Sequence, residues 1–159
     1  MTVSVSGIYV ANMIDVFDAT QLAIDLSLTT HKVALLSNAA TPNFSTDASW
    51  SSTNEVSGTG WATGGVALSA IAAGATSAAP TNTESPTGTQ MYDMADFSVA
   101  STTLTSAVAY RLYADALTTP TADALIVLVY FGGTAYSTNA GTFAVQHAAT
   151  GVMTVDWTP

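Results

Sequence analysis

Ala122-Asp123-Ala124-Leu125-Ile126-Val127-Leu128-Val129-Tyr130-Phe131, closed by Gly132-Gly133, decides the fold class. The run is continuous, rich in branched and aromatic residues, and punctuated by glycine, which is the signature of a buried strand. It is about half as long as the ~20 apolar residues a membrane-spanning helix needs. Working outward, similar short runs recur. Lys32-Val33-Ala34-Leu35-Leu36 ends at Ser37-Asn38, and strands are predicted at Met91–Val99, Val108–Tyr113, Thr142–His147 and Val152–Trp157. Ala149-Thr150-Gly151 supplies another turn. Repeated short strands with glycine-rich turns predict an all-β chain, a β-sandwich or small barrel of about seven to nine strands.

Two stretches depart from this pattern. In residues 7–28, Ile8, Met13, Ile14, Phe17, Leu22 and Leu26 recur at mixed spacings of three to five, with Asp15, Asp18 and Asp25 between them. A short helix over about 7–17 is expected, and Asp18-Ala19-Thr20 could cap a further turn to Leu28. Residues 70–90, dominated by Ala, Thr, Ser and Gly with Pro80 and Pro86, read as a surface loop or extended arm. Between these stretches, Gly58, Gly60, Gly64 and Gly65 fall within eight positions and imply a tight β-corner before Val66-Ala67-Leu68. The whole, residues 1–159, is read as one domain with residues 1–28 as an amino-terminal arm or helix.

Composition bounds the function. Charged residues make up 8% of the 159, against about a quarter in ordinary soluble domains. A surface of Ser, Thr, Asn and Ala is cheap to desolvate, which favours a component of an assembly over a free monomer. Lys32 and Arg111 face eleven acids, for a net charge of −9. Phosphate neutralisation and attachment to anionic membranes both need the opposite balance, so neither nucleic acid nor membrane is an expected partner. With no cysteine, disulfides and thiolate metal sites are impossible. Met1–Gly7 has neither a basic n-region nor a long apolar stretch and does not read as a secretory signal.

No motif carries chemistry. His31 and His147 sit at strand ends, and no serine lies in a Gly-x-Ser-x-Gly elbow. Gly58-x-Gly60-x-x-x-Gly64 has the wrong spacing for a dinucleotide loop and leads into a strand. Asp93-x-x-Asp96 and Asp15-x-x-Asp18 fall short of the six to eight oxygens calcium takes, and read as solvated acids. Carboxylate pairs of the glycosidase kind are defined in space and leave no sequence signature. The expectation is a non-enzyme with no cofactor and no metal. Trp50, Trp61, Trp157, Phe131 and Phe143 read first as core or interface residues. A carbohydrate platform built on Trp50 or Trp61 is the sharper alternative.

Three turn-rich or weakly charged segments are the candidate contact elements: 1–17, 41–54 and 70–90. Ile8, Met13 and Phe17 in the first, Phe44 and Trp50 in the second, and Trp61 in the glycine-rich block are the candidate interface side chains.

From His31-Lys32-Val33-Ala34-Leu35-Leu36 through Thr41-Pro42-Asn43-Phe44-Ser45-Thr46-Asp47 the chain resembles small tailed-bacteriophage virion proteins of the head decoration, cement or head-fibre kind. The block Asn54-Glu55-Val56-Ser57-Gly58-Thr59-Gly60-Trp61-Ala62-Thr63-Gly64-Gly65-Val66-Ala67-Leu68 carries the resemblance further. So do Tyr130-Phe131-Gly132-Gly133, Ser137-Thr138-Asn139-Ala140-Gly141-Thr142-Phe143 and Gly151-Val152-Met153-Thr154-Val155-Asp156-Trp157. It covers 31–69 and 124–157, and 7–28 loosely. Trp61 stands where tyrosine is more usual, and 70–90 is richer in Ala, Thr and Pro than the pattern. The resemblance implies no catalytic residues. It implies a homo-oligomer, a trimer by analogy, bound to the major capsid protein on the outer capsid surface of a virion. A tail or baseplate protein is the alternative within the same resemblance.

Overall fold

The computed structural model describes residues 2–17, 22–71, 81–84 and 88–156, with the backbone alone described for 15–17 and 81–84. Lys32–Ser37 (β2), Phe97–Ala114 (β7) and Ala124–Tyr130 (β8) form the middle of an antiparallel sheet. Each contains a run buried on both faces: Val33 to Leu36, Ala107 to Ala114 and Ala124 to Leu128. That is why these segments read as continuous apolar runs without alternation. Gly7–Ile8 (β1) adds to the outer edge of β8, while Glu55–Val56 (β3) and Val66–Ala67 (β4) line up along the outer edge of β2.

Ala107 pairs with Ser37 of β2 on one side and with Tyr136 on the other. Tyr136–Val145 (β9) therefore follows β8 along the same edge of β7, with residues 131–135 looped out between them. The β7–β9 ladder shifts register three times, between Val99 and Thr102, Thr102 and Leu104, and Leu104 and Ala107. Buried Thr102 pins one of these irregularities, its hydroxyl meeting Thr138 Oγ1 at 2.8 Å and the Gly141 carbonyl at 3.0 Å. A second sheet of three antiparallel strands is formed by Met153–Asp156 (β10), Thr89–Asp93 (β6) and Thr81–Glu84 (β5). Tyr92 and Met153 from this sheet share a core with Val33, Leu35, Tyr110 and Leu112 of the large sheet. The opposite face of the large sheet packs Ala34, Leu36, Tyr113, Leu125 and Leu128 under Val3 and Tyr9. The chain is thus an all-β sandwich, as its strand pattern predicts.

Several boundaries differ from the sequence reading. Ten strands lie among the described residues, against seven to nine expected. The separate strands expected at Met91–Val99 and Val108–Tyr113 are replaced by β6 and the 18-residue β7, which runs straight through Ser101–Ser106. Ser101 and Ser106 adopt positive φ (57° and 60°), and such local irregularities break the alternation that marks a strand. Part of the supposed 70–90 arm is sheet, because β5 pairs with β6; residues 72–80 and 85–87 lie outside the described residues. The amino-terminal helix is Val10–Phe17 (α1), and residues 22–28 are non-helical. Leu68 begins a single helical turn, Leu68–Ile71 (α2), instead of ending a strand.

The glycine corner is real and has two causes. A methyl group at Gly58 would fall on the Thr103 carbonyl oxygen, and one at Gly65, where φ is +73°, on the Val33 carbonyl oxygen. The backbone of the 58–65 block therefore lies directly on β7 and β2, with no room for a Cβ. Glu55 holds the corner, its carboxylate accepting the Gly64 N–H at 2.9 and 3.1 Å.

Both histidines are built into this frame. His31 Nε2 lies 2.7 Å from the Asp25 carbonyl, and His147 Nε2 lies 2.9 Å from the Tyr110 hydroxyl. Burial lowers both pKa values below the ordinary 6.5, opposed at His147 by nearby Asp96 and Asp93 and at His31 by Asp25. The unfolded chain then binds protons more readily than the folded one. Their contribution is fully present above pH 6.5 and is lost as pH falls through the lowered folded values. Urea midpoints are expected to drop between pH 7.5 and pH 5, and the His31→Gln/His147→Gln double variant should flatten that slope. A slope unchanged in the double variant would assign it to carboxylates instead.

Candidate functional site

The amino-terminal segment lies on the large sheet with an inverted polarity. Tyr9 and Asn12, three residues apart, point inward and are 0% and 1% exposed, whereas Val10 and Ile14 point outward at 48% and 62%. Asn12 is accommodated because its amide donates to the Ala48 and Leu125 carbonyls, both at 2.7 Å. These two bonds tie α1 to the 41–50 loop and to β8 at once. The Tyr9 N–H donates to the Ile126 carbonyl at 3.1 Å, extending the β1 pairing into the start of the helix.

Beneath the segment lies one buried cation. The Arg111 side chain is 8% exposed, its guanidinium carbon 5.6 Å from the Tyr9 ring centre and its Nη2 3.6 Å from Asp47 Oδ2. Burial pushes the Tyr9 hydroxyl up to about 12, with Arg111 pulling in the opposite direction. The same Asp47 oxygen accepts the Asn43 N–H at 2.9 Å, so Asp47 both closes its own loop and faces the buried charge. Removing Asp47 strands that charge. Because Asp47 is itself about one-third exposed, Asp47→Ala is expected to cost about 1–3 kcal/mol, below the value for a fully buried pair. Urea denaturation would measure it, and an unchanged midpoint would mean that solvent already compensates Arg111.

The six interface candidates fare differently. Ile8 is half-buried in β1 against the main core, and Met13 is half-buried on α1. Phe44 is half-buried with its ring 5.2 Å from that of Tyr9, in the space a side chain at position 7 would need. Trp50 is half-buried and stacked on Tyr113 at 5.3 Å and 15°. The Phe17 side chain lies outside the described residues, as does Trp157. Trp61 is a correction. It is 1% exposed, edge-on to Phe143 at 5.5 Å and 6.3 Å from Phe97, and can neither contact a partner nor hold a sugar. The carbohydrate platform on Trp61 is thereby excluded, and one face of the half-buried Trp50 ring is already taken by Tyr113.

Among the described residues the exposed large apolar side chains are instead Val5 (56%), Val10 and Ile14 in the amino-terminal segment, together with Leu28 and Tyr136. Val10 and Ile14 are four apart on α1 and share a face. Helical spacing alone marks that pair, but it cannot say whether the Val10–Ile14 side or the Tyr9–Met13 side meets the core. No protein-family model, curated protein or solved structure gives a significant match to this chain. The assignment of this surface rests on its own chemistry.

Elsewhere, the Asp93/Asp96 pair serves the backbone, while Asp18 and the Asp15 side chain lie outside the described residues. Asp93 Oδ1 accepts the Met94 N–H at 2.9 Å, and Asp96 Oδ1 accepts the His147 N–H at 2.7 Å. Among the described residues no three His, Asp or Glu side chains gather in a way that could hold a metal ion. No helix among them is long and apolar enough to cross a membrane. One cleft of about 540 Å³ opens between the end of β8, β9 and the 146–152 loop.

Proposed function

We propose that this protein is a non-enzymatic structural subunit of a tailed-phage virion, a decoration protein that binds the outer capsid surface as an oligomer and stabilises the shell. The observation that carries the reading is the outward apolar face of Val10 and Ile14 on α1, with Val5 also exposed in the same amino-terminal segment. It is carried by a segment locked to the sheet through Asn12, in a chain with 8% charged residues. A rigid apolar face with few charges to dehydrate suits a permanent contact, and burying it yields roughly 25 cal/mol per Å². Each additional bound copy stabilises the assembled shell by mass action. The net charge of −9 fits contact with protein outside the shell and away from packaged nucleic acid. The trimeric state follows from the family resemblance and from the three-fold positions of an icosahedral lattice.

The test is the copy number and position of the chain in purified virions, read by imaging and by quantitative mass spectrometry. Hundreds of copies on the head surface are expected. A handful at the tail would overturn the decoration reading in favour of a tail or baseplate component. Absence from the particle would overturn both.

A further inference from the structure

The cleft exists because β8 and β9 share one edge of β7 without being continuous. Tyr130 pairs with Ala109 and Tyr136 with Ala107, so the five residues between them must leave the sheet, and the first two of them, Phe131 and Gly132, form one wall with Tyr136. The 146–152 segment forms the other. The volume of about 540 Å³ falls within the roughly 300–1,000 Å³ of small-molecule sites.

Its lining has a definite chemistry. Phe131 and Phe143, 6.1 Å apart, make an aromatic floor, and Tyr136 stands edge-on to Phe131 at 5.8 Å and 80°. Tyr136 is 48% exposed, whereas the aromatics of the adjoining core, Trp61, Phe97 and Tyr110, are buried. Polar groups border the same space: the exposed residue Gln146 and the bare backbone of Gly132, where nothing stands within 4 Å of an added Cβ. His147 contributes a fixed wall, since its Nε2 is held by the Tyr110 hydroxyl.

No Asp, Glu, Lys or Arg lines the cleft. A cationic ligand would find no carboxylate there, and an anionic one would find no base and the field of a chain carrying −9. A wholly apolar ligand would bury Gln146 and the Gly132 backbone without hydrogen-bond partners, at a cost of kilocalories. What remains is an uncharged molecule with a C–H face and hydroxyl groups around it. We propose that this cleft binds an uncharged saccharide, one sugar ring stacked on Tyr136 and walled by Phe131, with its hydroxyls bonded to Gln146 and the Gly132 backbone. The inference stands apart from the virion reading, because it uses only the cleft.

The test is binding of the full-length protein to an array of uncharged oligosaccharides built from glucose, galactose, mannose and N-acetylhexosamine. Hits are measured by calorimetry. At least one saccharide is expected to bind with a Kd of ~1 mM or tighter. Tyr136→Ala should weaken it by roughly tenfold or more, Tyr136→Phe should retain it, and Gln146→Ala should weaken it several-fold. Tyr136 and Gln146 are exposed, so thermal midpoints should stay within a few degrees. If Tyr136→Ala fails to fold, amide shift mapping on the unaltered protein replaces it, with perturbations expected at 130–136 and 144–152. Binding that survives both substitutions, perturbations mapping elsewhere, a response to sialylated or sulfated glycans alone, or no binding across the array would each overturn the proposal.

Discussion

Val10→Asp combined with Ile14→Asp is expected to abolish attachment to capsids while leaving the fold intact. Both side chains project from α1 into solvent, 48% and 62% exposed, and the substitutions remove no core contact. Exposed changes of this kind usually alter stability by no more than about 0.5 kcal/mol. At a capsid contact the arithmetic reverses. Fully burying an exposed Val or Ile contributes about 1.5–3 kcal/mol, and the exposed parts of Val10 and Ile14 together amount to about one such side chain, so losing both weakens affinity by roughly one to two decades at ~1.4 kcal/mol per decade. The two new carboxylates add a desolvation penalty in the same direction. Co-sedimentation with undecorated expanded capsids measures the effect, and thermal unfolding of the free protein controls for folding. Undiminished occupancy would remove the amino-terminal face from the proposed function. Truncating residues 1–17 would be the wrong experiment, since it also deletes Val3, Tyr9 and Asn12 from the packed interior.

Trp61→Ala carries the largest expected effect on stability. Its indole is buried in the main core, against Phe97 and Phe143, and large aromatic-to-alanine changes in cores cost about 3–5 kcal/mol. For a chain of this size that corresponds to roughly 6–20 °C in Tm, at ~2–4 °C per kcal/mol. Trp61→Tyr, which keeps an aromatic ring, should recover most of the loss. A Trp61→Ala protein with an unchanged Tm would contradict the buried placement and reopen Trp61 as a surface residue. Any loss of saccharide binding in this variant should track unfolding, because the indole has no access to solvent.

The residues differ in how far sequence could place them. Val33–Leu36 and Ala124–Leu128 were legible as central strands because burial on both faces leaves an unbroken apolar run. The glycine-rich corner was legible because Gly58 and Gly65 meet backbone oxygens where no other residue fits. The first half of β7 was not. Its alternation is interrupted where Ser101 and Ser106 take positive φ, so a single strand reads as two. The helix α1 was located but its facing was not. Periodicity leaves the Val10–Ile14 and Tyr9–Met13 sides equally eligible for the core, and two carbonyl acceptors, from Ala48 and Leu125, draw Asn12 inward and leave Ile14 outside. Those acceptors are 36 and 113 residues away in the chain, beyond any local pattern.

By itself, then, the sequence determined the class of the protein: β-rich, scarcely charged, acidic, without cysteine, and strung on apolar runs and glycine turns. These properties follow from composition and short-range periodicity, which act residue by residue. Only the tertiary structure decided which aromatics are hidden, which helix face is bare and where a cleft opens. Trp61 was drawn inward because the 58–65 corner lies flat on β2 and β7. Val10 and Ile14 were left outside because Asn12 found its partners within. The cleft opened because two strands compete for one edge of β7 and the residues between them must detour. Each outcome depends on contacts between distant segments, and those exist only once the sheet has closed.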